Sequence, residues 1–592
     1  MTAKASFKRR LIRPELRVQL IVGIVLVLAA VLIPTFTGKT FWQQAMLIAV
    51  VYVIAAIGLD VLRAQTQQMS FGQGAVLGVA AYVTALANGP WGFSFEMSAL
   101  IGLASGTVFG ILMSLPSLRV QGFYLGFVTL AGALALPNVI VTFKDQTHAL
   151  TGVNVFPSAI HETIFGSFDW LTLIVIVVAI IFLVGAAALQ SSGWGRAMRM
   201  AGESPEAAAT LGLSSGRLRL EGFAIASVAA SIAGILYVAV IQYVGSGSFT
   251  LALSVMLYFV VLIGGPGKVL GPILGVALLY VVPDHVLTNF IDYRMLIYGL
   301  LVIVVIYVMP EGIANGLSDV WKKWFGRDED KRGLIELDPI LKAASDGVDR
   351  TKTEQGEPIL VVDKVARSFG SVKALDGATI SVDRGTLHAI VGPNGSGKTT
   401  LLNAISGLIS VDDGSMEFDG QNLTRMSASG RARLGLARTF QSPKLLDSMS
   451  VWENIDTGRG SAHKIEWFEN ALNEVRDEWD GIRCDVLPHG QRRFLEVLRA
   501  LYMGPKLIAL DEPAAGLSLA ERLEFGELLR EIIATTNVTV VLVEHDLELV
   551  WRIADKISVI DGGKVIASGS PAELRNSPAI AHLFVGVDHV AN

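Results

Sequence analysis

Up to about residue 315, apolar positions run in long, nearly unbroken stretches: 18–33, 43–62, 71–88, 97–115, 121–142, 170–188, 221–244, 251–264, 269–283 and 295–309. A helix needs about 20 such residues to cross hydrocarbon, and most of the stretches supply them. Those at 251–264 and 269–283 are short and are separated by Gly264-Gly265-Pro266-Gly267, so they cross at an angle or re-enter as half-helices. The pattern predicts a polytopic α-helical membrane domain over 1–315 with eight to ten transmembrane helices. From Pro358 the pattern changes to short β-branched strands alternating with amphipathic helices, which predicts an α/β domain over 357–592. Between them, 316–356 is charged and polar, with Gly326-Arg327-Asp328-Glu329-Asp330-Lys331-Arg332 at its centre, and reads as a linker.

Charge follows the same division. Nine charged side chains fall among the 171 positions from Val18 to Ala188, whereas beyond Ser318 they are dense. A chain of 592 residues, 52% hydrophobic and 17% charged, is therefore neither fully soluble nor wholly embedded. A net charge of -5 gives no basic footprint, so no nucleic acid is expected as a partner. Cys484 is the sole cysteine, which excludes an intramolecular disulfide framework and a zinc cluster built on several thiolates. Lys4, Lys8, Arg9, Arg10, Arg13 and Arg17 precede the first apolar stretch. Pro34-Thr35-Phe36-Thr37 after it does not resemble a cleavage site, so the stretch reads as a membrane helix, not a leader.

With ten crossings, those six basic residues share a side with Arg63, Arg119, Arg196, Arg199, Arg217, Arg219 and Lys268, and only Lys39, Lys144 and Arg294 face the other. Thirteen against three predicts, by the positive-inside rule, that both termini and the C-terminal half lie in the cytoplasm, the cytoplasmic (inner) membrane holding the rest. Eight crossings leave the ends on the same side. Asp60, Glu221, Asp284 and His285 lie near segment ends, where solvation at the interface is expected.

Chemistry concentrates in the second half. Residues 388–400 read His-Ala-Ile-Val-Gly-Pro-Asn-Gly-Ser-Gly-Lys-Thr-Thr. Gly392-x4-Gly397-Lys398-Thr399 is a P-loop pattern, with an apolar strand before it and an apolar helix after it. Pro393, Asn394, Gly395, Ser396 and Thr400 complete the phosphate-binding run. Such glycines let backbone N–H groups turn inward around phosphates, and the helix N-terminus adds positive potential. Lys398 is expected to reach the β- and γ-phosphates of ATP, and the Thr399 hydroxyl to ligate Mg²⁺. Leu507-Ile508-Ala509-Leu510-Asp511-Glu512, with its acids 113 and 114 residues beyond Lys398, reads as a buried parallel strand ending in two carboxylates. Asp511 fits the metal's surroundings and Glu512 the polarisation of an attacking water. A third strand, Val538–Val543, ends in Glu544-His545-Asp546, which places His545 for contact with the γ-phosphate.

Taken together, residues 358–585 resemble the nucleotide-binding domain of an ABC transporter. The resemblance implies that Gln441, in Thr439-Phe440-Gln441, is the glutamine that touches Mg²⁺ and faces the membrane domain. It implies a switch role for His545 and adenine stacking for Phe369. Leu487-Pro488-His489-Gly490-Gln491 occupies the signature position, 21 residues before Asp511 counted from Gly490, and Ala515-Gly516-Leu517-Ser518 the D-loop position. Pro488, His489, Gly490 and Gln491 would then face ATP held by a second subunit. The family carries serine where this chain has Pro488, so one hydroxyl donor is missing. Two readings stay open: backbone donors suffice, or one of two ATP sites is weakened.

In the first half, Glu203 opens the run Glu203-Ser204-Pro205-Glu206-Ala207-Ala208-Ala209-Thr210-Leu211-Gly212. Glu206-Ala207-Ala208-x3-Gly212 resembles the coupling motif of ABC importer permeases and reads as a short helix N-capped near Ser204, with Pro205 in its first turn. It is expected to dock in a cleft of the ATPase beside Gln441. An ordered set of further pieces spans about 40–315: Met69-Ser70-Phe71-Gly72-Gln73-Gly74, Leu118-Arg119-Val120-Gln121-Gly122-Phe123-Tyr124, Leu150-Thr151-Gly152, Gly264-Gly265-Pro266-Gly267 and Pro310-Glu311-Gly312. They resemble permeases of branched-chain amino acid importers and of their urea and amide relatives. Arg438-Thr439-Phe440-Gln441 resembles the ATPase subunits of the same systems, and His489 the Leu-Ser-His-Gly-Gln form of the urea branch.

The resemblance implies a permease fused to its ATPase, taking up branched-chain or related hydrophobic amino acids. It also implies a second permease subunit, a second ATPase subunit, an external solute-binding protein and a small-molecule solute, all served across a lipid bilayer. A urea or short-amide importer, an exporter acting as a homodimer, and an ATP-gated channel or sensor with weakened hydrolysis are the alternatives. The small residues of the membrane half permit either close helix packing or a narrow polar path.

Overall fold

The structure is a computed structural model that describes residues 14–120, 122–286, 293–318, 335, 339–340, 357–459, 465–575 and 577. Lys4, Lys8, Arg9, Arg10 and Arg13, and most of the expected linker, lie outside the described residues. The chain divides into two compact units, Met1–Glu203 with Ser215–Glu329, and Ser204–Ser214 with Asp330–Asn592. The run resembling a coupling motif thus separates from the membrane helices on either side of it in sequence.

All ten apolar stretches of the first unit are helical, and six are long and apolar enough to cross a membrane: Leu16–Thr37, Thr40–Gln65, Phe95–Leu118, Phe123–Thr142, Trp170–Ser191 and Ser215–Ile241. The other four are Gln73–Asn88, Leu251–Gly264, Gly271–Pro283 and Arg294–Val308. At 16, 14, 13 and 15 residues they fall short of about 30 Å of hydrocarbon at 1.5 Å per residue. Leu251–Gly264 and Gly271–Val276 fold back on each other so closely that a Cβ on Gly275 would lie 2.1 Å from the Val260 carbonyl. Apolar on every side, Thr40–Asp60 is buried along its length from Ala45. Leu16–Thr37 and Arg294–Val308 instead expose Val18, Ile21, Leu296, Leu300 and Ile303, as suits a surface that meets lipid.

The small residues serve close packing. Gly102, Gly106 and Gly110 recur every fourth residue along Phe95–Ser114, so they form one stripe. A Cβ there would stand 1.9 Å from Thr84 Oγ1, 2.5 Å from Ser231 Oγ and 2.1 Å from Ser227 Oγ. One charge departs from expectation. Asp60 is 3% exposed rather than solvated, and its Oδ1 accepts the Gly267 N–H at 2.8 Å. In the turn Gly264–Gly267 the Gly265 N–H already bonds the Val261 carbonyl, and the carboxylate at the helix end satisfies the Gly267 N–H. Glu221 follows expectation, bonded by Trp194 and Arg217 at an exposed edge. His285 is half-buried among the rings of Phe41, Trp42 and Tyr280, and the Asp284 side chain lies outside the described residues.

The second unit is built on a six-stranded sheet, in order Leu436–Arg438, Leu507–Asp511, Thr539–Val543, Leu387–Val391, Lys556–Asp561, Lys564–Gly569. The first five strands run parallel and the last antiparallel. Every residue of the three central strands is buried because both faces are covered. Alternate residues serve separate cores, with period two. Ala389, Val391, Ile508, Leu510, Val540 and Leu542 pack with the helices His489–Tyr502 and Leu519–Thr536. Ile390, Ala509, Val541 and Val543 pack with the helix Lys398–Ser406 and a four-stranded antiparallel sheet that includes Pro358–Phe369 and Val372–Asp383. The polar chemistry sits at the C-terminal ends of the parallel strands, where such sheets present their ligands.

Candidate nucleotide-binding site

The loop after Leu387–Val391 wraps tightly before the helix Lys398–Ser406 begins. Gly395 and Gly397 have φ of +79° and +106°, which other side chains rarely adopt. A Cβ on Gly392 would lie 2.1 Å from the Ile560 carbonyl, so only glycine fits there. Pro393, Asn394 and Gly395 are exposed on the loop, and Thr399 and Thr400 open the helix. Lys398 Nζ donates to the carbonyls of Gly392 and Pro393 at 2.9 and 2.8 Å, curled over its own loop. Burial pulls the Lys398 ammonium below its usual range, and Glu512 and Asp511 push it back up. Ser396 Oγ is buried without a hydrogen-bond partner, a donor left for a ligand.

Gln441, Glu512 and His545, far apart in sequence, meet. Gln441 Nε2 donates to Glu512 Oε2 at 2.7 Å, and His545 Nε2 lies 2.6 Å from Glu512 Oε1. Glu512 has φ of +47°, a strained position for a carboxylate residue at the end of a strand. Its own N–H bonds the Val543 carbonyl and its carbonyl accepts from Arg493 Nη1 at 2.8 Å. Behind it, buried Glu544 accepts the Ala514 N–H at 2.8 Å and the His545 N–H at 3.2 Å, which ties the residue just before the D-loop position to the histidine. Desolvation raises the Glu544 carboxyl above the ordinary range, and those two N–H groups oppose the rise.

Asp511 lies beside the P-loop threonine. Thr399 Oγ1 is 3.3 Å from Asp511 Oδ1, and Arg438 Nη2 is 3.0 Å from Asp511 Oδ2. Burial raises the Asp511 carboxyl, with Arg438 the largest opposing influence. Thr399, Gln441 and Asp511 line one cavity of about 270 Å³. A hydroxyl, an amide and a carboxylate are hard oxygen donors, and their small number suits Mg²⁺, which keeps waters and phosphate oxygens in its shell. Among the described residues no cluster of three or more His, Cys, Asp or Glu could hold a metal.

The helix His489–Tyr502 does more than display the signature position. Its buried Glu496 accepts the N–H groups of Phe440 and Lys444, at 3.3 and 2.9 Å, and Arg499 donates to the Lys444 carbonyl at 2.8 Å. These bonds hold both ends of the loop that carries Gln441. Arg493, Glu496 and Arg499 were not singled out from the sequence, and Arg438 and Glu544 stood in quoted motifs without a role of their own. For Arg493, Glu496 and Arg499 the available signal was their recurrence every third residue within the buried stretch of one helix. Pro488 and His489 are exposed, and Pro488 is the N-cap with extended backbone, not a first-turn residue. A proline cap offers no side-chain acceptor, so first-turn N–H groups remain available. Gln491 pairs instead with the linker: its Oε1 accepts the Ile335 N–H at 3.0 Å and its Nε2 donates to the Ile335 carbonyl at 3.4 Å. Phe369 is 49% exposed at the end of its strand, with the Arg367 guanidinium 5.1 Å from its ring.

The helix Pro205–Thr210 carries Glu206 exposed and Ala207, Ala208 and Thr210 buried. Ser204 is its N-cap but makes no side-chain cap bond, and Pro205 supplies the first turn. Gly212 turns with φ of +79°, and its carbonyl accepts from Arg433 Nη1 at 2.9 Å. Leu211 packs on the core that contains the helix His489–Tyr502. Glu206 lines the same cavity as Thr399, Gln441 and Asp511. Glu203 ends the preceding helix, in the other unit.

Comparison with known proteins places both halves of the chain in families. Residues 42–306 match the family of branched-chain amino acid transport system permease components, and residues 375–515 match the ABC transporter family. The high-affinity branched-chain amino acid transport ATP-binding protein BraF of Pseudomonas aeruginosa is 32% identical over 250 residues, covering 39% of this chain and 98% of that protein. The corresponding LivG of Escherichia coli K12 is 32% identical over 251 residues, covering 39% and 98%. Among solved structures, an ADP-bound ATP-binding cassette, MJ1267, is 28% identical, covering 39% of this chain and all of that one, with a TM-score of 0.35.

Proposed function

This chain belongs to the ABC transporter family, a permease component of the branched-chain amino acid type continuous with an ABC ATPase domain, and from that premise we propose that it drives uptake of branched-chain or related hydrophobic amino acids across the cytoplasmic membrane. The observation that carries the reading is the convergence of Gln441, Glu512 and His545 beside the P-loop, in one compact unit with the helix Pro205–Thr210. The names of the relatives support the solute class.

In this reading Lys398, the P-loop N–H groups and Ser396 hold the phosphates, with Phe369 against the base. Thr399, Gln441 and Asp511 hold Mg²⁺, which neutralises developing phosphate charge when bound. Glu512 accepts a proton from the attacking water, and His545 and Gln441 keep its carboxylate aimed. A second ATPase subunit provides the opposite signature segment, and this chain's Pro488, His489, Gly490 and Gln491 serve the partner's nucleotide in return. Pro488 leaves that service to backbone donors. The docking segment Glu203–Gly212, through Glu206, Ala207, Ala208 and Gly212, carries closure of the ATPases to the membrane helices. A second permease subunit and an external solute-binding protein complete the importer, with both termini in the cytoplasm.

The test is uptake of radiolabelled leucine, phenylalanine and urea by cells with and without this gene, and with the Glu512→Gln variant. Leucine or phenylalanine uptake lost in both backgrounds supports the proposal. Loss of urea uptake alone moves the cargo to the amide class, which His489 would suit, and uptake unaffected by either change overturns import of these solutes.

A further inference from the structure

Arg438 and Asp511 form an ion pair in which both side chains are 2% exposed. Arg438 ends the strand Leu436–Arg438, three residues before Gln441. Each nitrogen of its guanidinium makes one bond: Nη2 to Asp511, Nη1 to Ser406 Oγ at 2.7 Å and Nε to the Thr439 carbonyl at 3.3 Å. The same guanidinium borders the cavity of about 270 Å³ whose wall includes Glu206, Thr399, Gln441 and Asp511. A buried guanidinium is tolerated only where carboxylates compensate it. Asp511 is in direct contact with it, and Glu206 stands on the wall of the same cavity. Glu496, on the neighbouring helix, is already committed to Arg499 and the two N–H groups of the glutamine loop.

We propose that Arg438 is a positioning residue that joins the docking helix to the metal-binding carboxylate, with Asp511 and Glu206 sharing its charge. This rests on the nucleotide and docking roles proposed above. A divalent cation beside Thr399 and Asp511 draws on the carboxylate that compensates Arg438 and adds positive charge to the same cavity. Glu206 is the acid on the cavity wall that offsets the excess. Metal occupancy and seating of the helix Pro205–Thr210 are then thermodynamically linked, and linkage of binding free energies is reciprocal. The arrangement gives this chain a route from nucleotide site to docking helix within one unit and about one cavity's width.

The experiment uses the full-length protein, isolated from membranes in its native assembly, in the Glu512→Gln background so that ATP persists. Mn²⁺, a paramagnetic substitute for Mg²⁺, is titrated at low ionic strength with saturating ATP and followed by electron paramagnetic resonance. Adding Glu206→Gln, an exposed substitution that the fold tolerates, is expected to weaken Mn²⁺ about fivefold. The exposed strand residue Glu417, changed to Gln, is expected to leave the affinity unaltered. Backbone hydrogen exchange over 206–211 is expected to slow when Mn²⁺ joins ATP, and to lose that response in Glu206→Gln. An affinity unchanged by Glu206→Gln, or weakened equally by Glu417→Gln, overturns the link through Arg438. A parent protein that binds no Mn²⁺ with ATP overturns the nucleotide–metal site itself, and the two failures are thus distinct.

Discussion

Around the P-loop, buried charge is compensated: Arg438 by Asp511, Arg499 by Glu496, and Arg431 by the carbonyls of Ala404, Ile405, Leu423 and Met426. Inside the membrane unit, buried polar groups are mostly hydroxyls that bond back along their own helix. Thr84 donates to the Ala80 carbonyl, Ser227 to Phe223 and Ser231 to Ser227, each at 2.7 Å. The difference follows from solvent. A catalytic cleft must present fixed charge to phosphates, and each charge needs a partner to be held out of water. A helix in lipid has no water to satisfy a stray donor, so short hydroxyls fold back and leave a smooth surface. On that surface glycine allows the neighbouring backbone to approach, as Gly102, Gly106 and Gly110 do.

The largest break in this comparison is chemical. Glu512→Gln keeps the shape of the cleft but removes the proton acceptor, and phosphate release is expected to fall by on the order of a hundredfold or more while ATP still binds. Equal release rates in the two proteins would deny Glu512 that role. The matching break in the membrane unit is steric. A Cβ on Gly234 would lie 2.2 Å from the Leu77 carbonyl, a backbone atom that cannot rotate away. Gly234→Val is expected to lower stability by about 3 kcal/mol, seen as a reduced melting temperature in detergent.

A pH test sharpens the ATPase side. His388 is buried on a central strand, bonded at Nε2 to Ser558 Oγ, and burial, then Lys556, pulls its pKa down to about 4. The unfolded chain therefore binds a proton near pH 6.5 that the native state refuses, so stability is present above that pH and is lost as pH falls towards 4. Unfolding of the full-length protein, followed in the ATPase unit, is expected to lose about 2 kcal/mol between pH 7 and 5 from this group. His388→Gln should flatten that part of the profile, and an unchanged slope would assign the loss elsewhere. The smallest effect belongs to Asp60→Asn, which keeps an acceptor for the Gly267 N–H. It is expected to change thermal stability by no more than about 1 kcal/mol, whereas Asp60→Leu, which strands the donor, should cost about 1–3 kcal/mol.

The P-loop was legible because its chemistry is contiguous: Gly392 to Thr400 forms one turn whose backbone does the work. The helical membrane half was legible because long apolar stretches admit only helices in lipid. The short run Glu206–Gly212 could be read as a helix, and the structure assigns it to the compact unit of the ATPase. Pro488 was legible only as a missing hydroxyl, and the structure makes it the cap of the helix His489–Tyr502, with ψ of 153°.

By itself, the sequence determined the two classes of structure, the presence of an ABC ATPase domain and the atoms able to hold phosphate, because those depend on local periodicity and on residues adjacent in the chain. The tertiary structure alone decided that Glu512 is gripped by Gln441 and His545, that Glu496 holds the loop that carries Gln441, that Gln491 meets the linker, and that Asp60 is buried. Each of these joins groups separated by tens to hundreds of residues, and only the closure of the chain into a core fixes which distant donor finds which acceptor. The same holds for the glycine stripe, whose meaning as packing rather than passage appears only when Thr84, Ser227 and Ser231 stand against it.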